Sequence, residues 1–251
     1  MSTCRYCAIR ITASATFCPN CGQEVFGKRK RLQLEPPVNP NFTDRMHLQG
    51  RNASRLLVAL LATLFGSAAF IGLFFGQDGD GMLIGGIAMA MVTMLCALPE
   101  LRELRELFRA VNLMRLKPWM VAIVVTPFLP LLADLWLDLI GFDPQPAEEM
   151  LPEFTPGMAL LTICIMPGIF EELAFRGVVF GNLRHMLSPK WAQILTAALF
   201  AGMHFNPIIF PYHLLIGLYL GLLRTRSGTL LIPMFAHALH NGVIVFFYES
   251  T

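Results

Sequence analysis

The chain has 251 residues, of which 55% are hydrophobic and only 14% charged, with a mean hydropathy of +0.58. That composition excludes an ordinary soluble globule and a disordered polyelectrolyte and fits a polytopic membrane protein. A formal net charge of +2, with no basic, aromatic-interleaved surface, argues against a nucleic-acid partner.

Met1 is followed by a polar, cysteine-bearing segment without an apolar run, so no secretory leader is expected and the first span directs insertion. Residues 1–23 hold Cys4-x-x-Cys7 and, after ten residues, Cys18-x-x-Cys21-Gly22. Two such pairs aim four thiolates at one tetrahedral zinc ion, as in zinc ribbons, and four filled positions make the site structural. A disulfide framework is the alternative and requires an oxidising compartment. So short a segment builds no core, so the metal supplies its folding energy, and the module is expected to be a docking or sensing head for a protein partner, the lipid surface or the chain's own cytoplasmic face. Residues 24–54 read as a linker, with Lys28-Arg29-Lys30-Arg31 and the prolines Pro36, Pro37 and Pro40.

Seven apolar runs follow: Leu56 to Phe75, Met82 to Leu98, Trp119 to Ile140, Met158 to Leu183, Trp191 to Phe205, Ile208 to Leu223, and Thr229 to Tyr248. The expected fold is all-α and polytopic, with about seven transmembrane helices, the fifth and sixth short. Between the second and third runs, Leu101, Leu104, Phe108 and Val111 recur at helical spacing opposite Arg102, Arg105 and Arg109, which predicts an amphipathic helix on the membrane face. Residues 55–117 thus hold two spans and this helix, and residues 118–251 the helical core. With the amino terminus in the cytoplasm, every Lys and Arg except Arg176 falls inside, whereas Asp78, Asp80, Asp143, Glu148, Glu149 and Glu153 fall outside. The positive-inside rule therefore predicts an integral membrane protein with amino terminus in and carboxyl terminus out, and the membrane is expected to be a bacterial-type plasma membrane. The zinc module then lies where thiols stay reduced.

The fourth run contains Glu171-Glu172-Leu173-Ala174-Phe175-Arg176. Each charge near a bilayer centre costs about 2.5 to 3.5 kcal/mol, against about 0.3 to 0.6 returned by each large apolar residue, so the segment needs partners in a bundle. Glu172 and Arg176 stand at i and i+4 in the favourable Glu-first order, which predicts an ion pair. Glu171 is turned about 100° away and is open to different chemistry. Phe200 and His204 share a face in the fifth run, as do His237 and Asn241 in the seventh. Pro167, one turn before Glu171, removes a backbone hydrogen bond and opens room for water. A buried carboxylate and two imidazoles activate water in either of two ways. Glu171 and His204 serve as general base and acid, with His237 and Asn241 donating to the oxyanion; or Glu171, His204 and His237 ligate zinc, with Glu172 as base. No H-E-x-x-H is present to favour the second.

The set E-E-x-x-x-R, F-x-x-x-H and H-x-x-x-N on successive helices resembles the CPBP family, the CAAX-protease and bacteriocin-processing intramembrane peptidases also called Abi. The resemblance covers roughly residues 120–248 and is carried by Glu171, Glu172, Arg176, Phe200, His204, His237 and Asn241. It implies an intramembrane endopeptidase in which Glu171 and His204 activate water and His237 with Asn241 form the oxyanion site. The family is classed among metalloproteases, while a metal-independent glutamate mechanism is argued for members of it. The cysteine module is no part of the family core. The implied partners are the lipid bilayer and a membrane-associated peptide or protein substrate. Two other functions compete: a non-catalytic immunity or scaffold protein using the same polar network for packing, and a transporter, for which no inverted repeat is evident.

Duller roles fit the remaining polar residues. Asp134 and Asp138 snorkel at the outer end of the third run. Cys96 and Cys164 are packing residues, and His213 is a hydrogen-bonded core or interface group. His240 is a neighbour of the motif able to orient it. Gly177-x-x-x-Gly181 and Gly217-x-x-x-Gly221 allow close helix approach, within the monomer or in a dimer.

Overall fold

The computed structural model describes residues 2–3, 10–11, 61, 79–98, 101–109, 116–142 and 155–248. Cys4, Cys7, Cys18, Cys21, the linker, all of the first predicted span but Leu61, and the acidic stretch 143–153 lie outside the described residues. Near the amino terminus, β1 (Ser2–Thr3) and β2 (Arg10–Ile11) form a two-residue antiparallel pair. All other described elements are helical.

Helix α1 spans Gly79–Ala97 and α2 Leu101–Arg109. The third predicted span is α3 (Leu116–Val125) and α4 (Pro130–Ile140), joined through a 3-10 turn, Thr126–Phe128. Pro127 and Pro130 lack the N–H that a continuous α-helix would require there. The fourth is α5, continuously helical over residues 156–186, with π-helical segments at Leu160–Ile165 and Leu173–Val179. Thr155 caps its start, its hydroxyl accepting from Met158 N at 3.4 Å, and Pro156 takes the first helical position. Helix α6 spans Pro189–Gly202, α7 Phe210–Ser227, and α8 Leu231–Val243 with a π turn, Ile244–Tyr248. Gly228, at φ +77°, ends α7 in the left-handed conformation that glycine adopts without strain.

Two of these stretches are long and apolar enough to cross a membrane: Leu116–Ile140 with 25 residues and Pro156–Arg184 with 29. Leu83–Ala97 and Leu231–Phe246 are shorter apolar helices. Among the expected spans that the described residues cover, the fifth is short, as expected. Its helix α6 has 14 residues, about 21 Å at 1.5 Å per residue, short of a hydrocarbon core of about 30 Å. It also stops at Gly202, which leaves His204 in the turn that follows.

The core gathers around the second half of α5, where Phe175, Val178, Val179, Phe180 and Leu183 are buried against Phe200 of α6 and Ile216, Leu220 and Leu223 of α7. The outer helices present apolar side chains to their surroundings: Leu95 is 67%, Leu116 68% and Leu139 78% exposed. So many large exposed apolar groups suit lipid as the solvent, and the chain is read as an integral membrane protein. Asp134 and Asp138 are both exposed, in keeping with snorkelling side chains.

The amphipathic helix α2 docks by a face shifted from the expected one. Leu104 and Leu107 are buried, whereas Leu101 and Phe108 remain exposed. The reason is a notch at Gly177, where an added Cβ would lie 2.9 Å from Leu104 Cδ2. Leu230 N also donates to Leu107 O at 3.4 Å. The second small-residue motif likewise serves contacts within the chain: a Cβ at Gly217 would meet Ala197 Cα and Cβ at 3.0 Å, and one at Gly221 would meet the Gln193 side chain.

The approach of α5 to α8 is equally close and decides the geometry of the site. A Cβ at Gly168 would stand 3.0 Å from Ala238 Cβ, 3.1 Å from Ala238 N and 3.1 Å from Met234 O. Two of those atoms are backbone and cannot step aside. Gly168→Ala is expected to destabilise the chain by about 1–3 kcal/mol through overpacking. A lowered unfolding midpoint of the purified variant checks it.

Candidate active site

Glu172 and Arg176 form the ion pair that their spacing predicts. Arg176 Nη1 donates to Glu172 Oε1 at 2.6 Å, with the two side chains 0% and 1% exposed. Arg176 Nη2 donates to the carbonyl of Gly217 at 3.1 Å, and the guanidinium lies 4.4 Å from the centroid of the Phe200 ring. One cation thus joins α5, α6 and α7. A buried pair is tolerated when its remaining donors and acceptors are satisfied, and the carbonyl and the aromatic face supply part of that compensation. The Gly217 carbonyl is within reach because α7 sits so close to Ala197 of α6.

His237 of α8 stands between both glutamates. A carboxylate only accepts, so the ring donates from Nδ1 to Glu172 Oε1, at 2.9 Å, while its Nε2 is 4.0 Å from Glu171 Oε2. Glu172 Oε1 therefore accepts from two cation-capable partners on two helices. Glu171 is differently placed. Its side chain is 16% exposed, and its Oε2 is buried without a hydrogen-bond partner. One carboxylate is engaged in holding helices together, and its neighbour is not.

Phe200 explains why an aromatic residue stands four positions before His204. Its ring meets Phe175 at 5.5 Å, His204 at 5.1 Å and His237 at 5.7 Å, each edge to face, in addition to Arg176. It is the apolar wall on which both imidazoles and the guanidinium rest. His204 is held in turn by its own backbone neighbour: a carbonyl only accepts, so Nδ1–H donates to Phe200 O at 2.9 Å and Nε2 is left with its lone pair. The next residue, Phe205, has φ +50°, an uncommon state for a bulky side chain. Asn206 Oδ1 then accepts from Ile208 N and Ile209 N, and Trp136 Nε1 donates to Ile208 O at 2.7 Å. The turn that carries His204 is thus pinned to α4. His213 of α7 stacks on His204 at 3.8 Å with 23° between the rings, a closer role than that of a core or interface group.

Asn241 Nδ2 donates to the carbonyl of Ile163 at 2.8 Å, and its Oδ1 accepts from His240 Nδ1 at 3.0 Å. Proline 167 accounts for the first bond. It has no N–H to offer the carbonyl four residues earlier, which is that of Ile163. The room expected for water is taken by a side chain of the neighbouring helix. Sequence reading passes over Tyr212, which hydrogen-bonds His240 Nε2, because nothing local marks it.

The structure thus brings Glu171, Glu172, Arg176 and His237 together around one another and places His204 against the Phe200 ring. No hydrogen bond joins Glu171 to His204. Among the described residues, no group of three or more His, Cys, Asp or Glu side chains is arranged to hold a metal ion, and Glu171, His204 and His237 do not gather as a ligand set.

Residues 153–243 match a family model described as type II CAAX prenyl endopeptidase Rce1-like. The match includes all six charged and polar motif residues from Glu171 to Asn241. No curated protein and no solved structure matches the chain.

Proposed function

We propose, from the match of residues 153–243 to a CAAX prenyl endopeptidase family model, that the chain is an intramembrane endopeptidase acting on a membrane-associated peptide or protein. The observation that carries the proposal is the unequal engagement of the two glutamates. Glu172 is fully buried and its Oε1 accepts from both Arg176 and His237, whereas Glu171 beside it is 16% exposed and accepts no hydrogen bond among the described residues. An uncommitted carboxylate next to imidazoles, among apolar walls that exclude bulk solvent, is what a water-activating base requires.

In this reading Glu171 takes a proton from water as the water oxygen attacks the peptide carbonyl carbon. His204 accepts a hydrogen bond from the same water at Nε2, takes that oxygen's second proton as the tetrahedral intermediate collapses, and passes it to the amine nitrogen as the C–N bond breaks, while the proton on Glu171 leaves with the products. The oxyanion that forms meets the second Nδ2 hydrogen of Asn241 and the ring of His237. To donate from Nε2 while Nδ1–H is held by Glu172, His237 carries a second proton, and its charge is then balanced by the glutamates on either side. No step in this reading is routed through a metal.

The test compares membrane proteomes, and cleavage of a farnesylated peptide probe, between the wild-type chain and the Glu171→Gln and His204→Ala variants at matched protein levels. Loss of cleavage in both variants supports the proposal. Unchanged function at equal abundance would leave a non-catalytic immunity or scaffold protein whose polar network only packs helices.

The charge distribution supports an orientation with the amino terminus in the cytoplasm and the carboxyl terminus outside a bacterial-type plasma membrane. In that compartment Cys4, Cys7, Cys18 and Cys21 hold a structural zinc ion that folds a docking head for a protein partner, a proposal resting on the donor set and its spacing. Metal analysis of the full-length protein is expected to find one zinc per chain, lost when Cys4 and Cys7 are replaced by serine; zinc at the same level in that variant refutes it.

A further inference from the structure

Asn241 is fixed at both ends of its carboxamide by groups that none of the three motifs contains. The carbonyl of Ile163 only accepts, so the amide turns Nδ2 toward it, at 2.8 Å. Oδ1 then faces His240 Nδ1 at 3.0 Å and accepts its proton. With that proton on Nδ1, the lone pair of His240 is on Nε2, where the hydroxyl of Tyr212 donates to it. Tyr212 and His240 are each 5% exposed, so water does not compete for these bonds. The direction of every hydrogen bond is thereby set from a carbonyl that Pro167 leaves without its usual helical donor.

We infer that Tyr212 and His240 are positioning residues that hold the Asn241 carboxamide in one orientation, so that its second Nδ2 hydrogen is aimed at the reacting carbonyl. A flipped amide would set oxygen against the Ile163 oxygen and N–H against the His240 N–H, and it would present a lone pair to a developing oxyanion. Tyr212 supports this one step further out, because its hydroxyl keeps the His240 proton on Nδ1. The inference rests on the endopeptidase reading for its consequence in catalysis, and on hydrogen-bond geometry alone for the network itself.

Two measurements on the full-length chain in lipid nanodiscs test it. Nitrogen chemical shifts of isotope-labelled histidine are expected to show His240 as the Nδ1–H tautomer in the wild type, with Nε2–H appearing in Tyr212→Phe. An Nε2–H tautomer in the wild type, or no change in the variant, overturns the network whether or not the chain is a peptidase. Cleavage of a fluorogenic peptide ending in a farnesylated CAAX sequence supplies the second readout. Tyr212→Phe is expected to lower kcat about tenfold, equivalent to about 1.4 kcal/mol, with KM unchanged. That loss is expected to vanish when Asn241 is already alanine, because residues that act through one group are not additive. Full additivity, or a loss confined to KM, overturns the positioning role. Glu171→Gln assayed alongside separates the two ideas: if it cleaves like the wild type, or if the wild type leaves the probe intact, the endopeptidase reading has failed and the tautomer measurement still decides the network.

Discussion

Glu171→Gln is expected to lower kcat by about 10²–10⁴-fold, the range over which a positioned general base acts, while leaving the fold unchanged. The amide is isosteric with the carboxylate but cannot accept a proton from water. The structural cost is small because Glu171 contributes little to packing: its side chain is partly accessible, its Oε2 has no hydrogen-bond partner, and His237 Nε2 is 4.0 Å away. Glu172→Gln is the informative comparison. It removes the counter-charge of a fully buried guanidinium and so acts through stability. The measurement is kcat on the peptide probe together with the unfolding midpoint of each variant. Loss of activity at an unchanged midpoint for Glu171, and a lowered midpoint for Glu172, is the expected pattern. If both variants lose stability equally, the two carboxylates share one structural role and the proposed division of labour is wrong.

The Glu172–Arg176 pair was legible in the sequence because it follows from one-dimensional periodicity. Glu172 and Arg176 are four residues apart and Glu171 is a third of a turn away, and an i,i+4 contact survives even inside the π-helical segment Leu173–Val179. The cost of intramembrane charge required partners for the pair, but could not say which. The carbonyl of Gly217 is 41 residues from Arg176, and the His237 ring is 65 residues from Glu172. Both are set by how closely small residues let α7 approach α6 and α8 approach α5, which periodicity does not encode. The docking face of α2 was misplaced for the same reason, since a notch at Gly177 selects Leu104 and Leu107. His204 was expected within a span, yet α6 ends at Gly202 and a left-handed Phe205 turns the chain. Pro167 was a readable signal with an unreadable answer: it frees a carbonyl in any helix, but only the tertiary fold brings Asn241 to it.

Arg176→Met is expected to destabilise the chain by about 3–5 kcal/mol, because it removes the guanidinium from a fully buried pair and leaves the Glu172 carboxylate with His237 as its one hydrogen-bond donor. Set against a typical total of about 5–15 kcal/mol, that is a loss of much of the folded population. Lysine should not rescue it. Its single ammonium cannot reproduce a planar fork that bonds Glu172 and Gly217 while lying over Phe200. A second change at Glu172 separates lost charge from lost packing. Gln at that position still offers an oxygen to His237 Nδ1 and no longer carries a buried charge. The Glu172→Gln, Arg176→Met double variant is therefore expected to be more stable than Arg176→Met alone, in the way that replacing both members of a buried pair costs less than replacing one. Unfolding midpoints of the three proteins in one membrane mimetic decide the matter. A double variant no more stable than the single one would show that Arg176 acts through its contacts with α6 and α7 rather than by neutralising Glu172. The charge that first marked this helix as needing a partner would then be secondary to the helix packing around it.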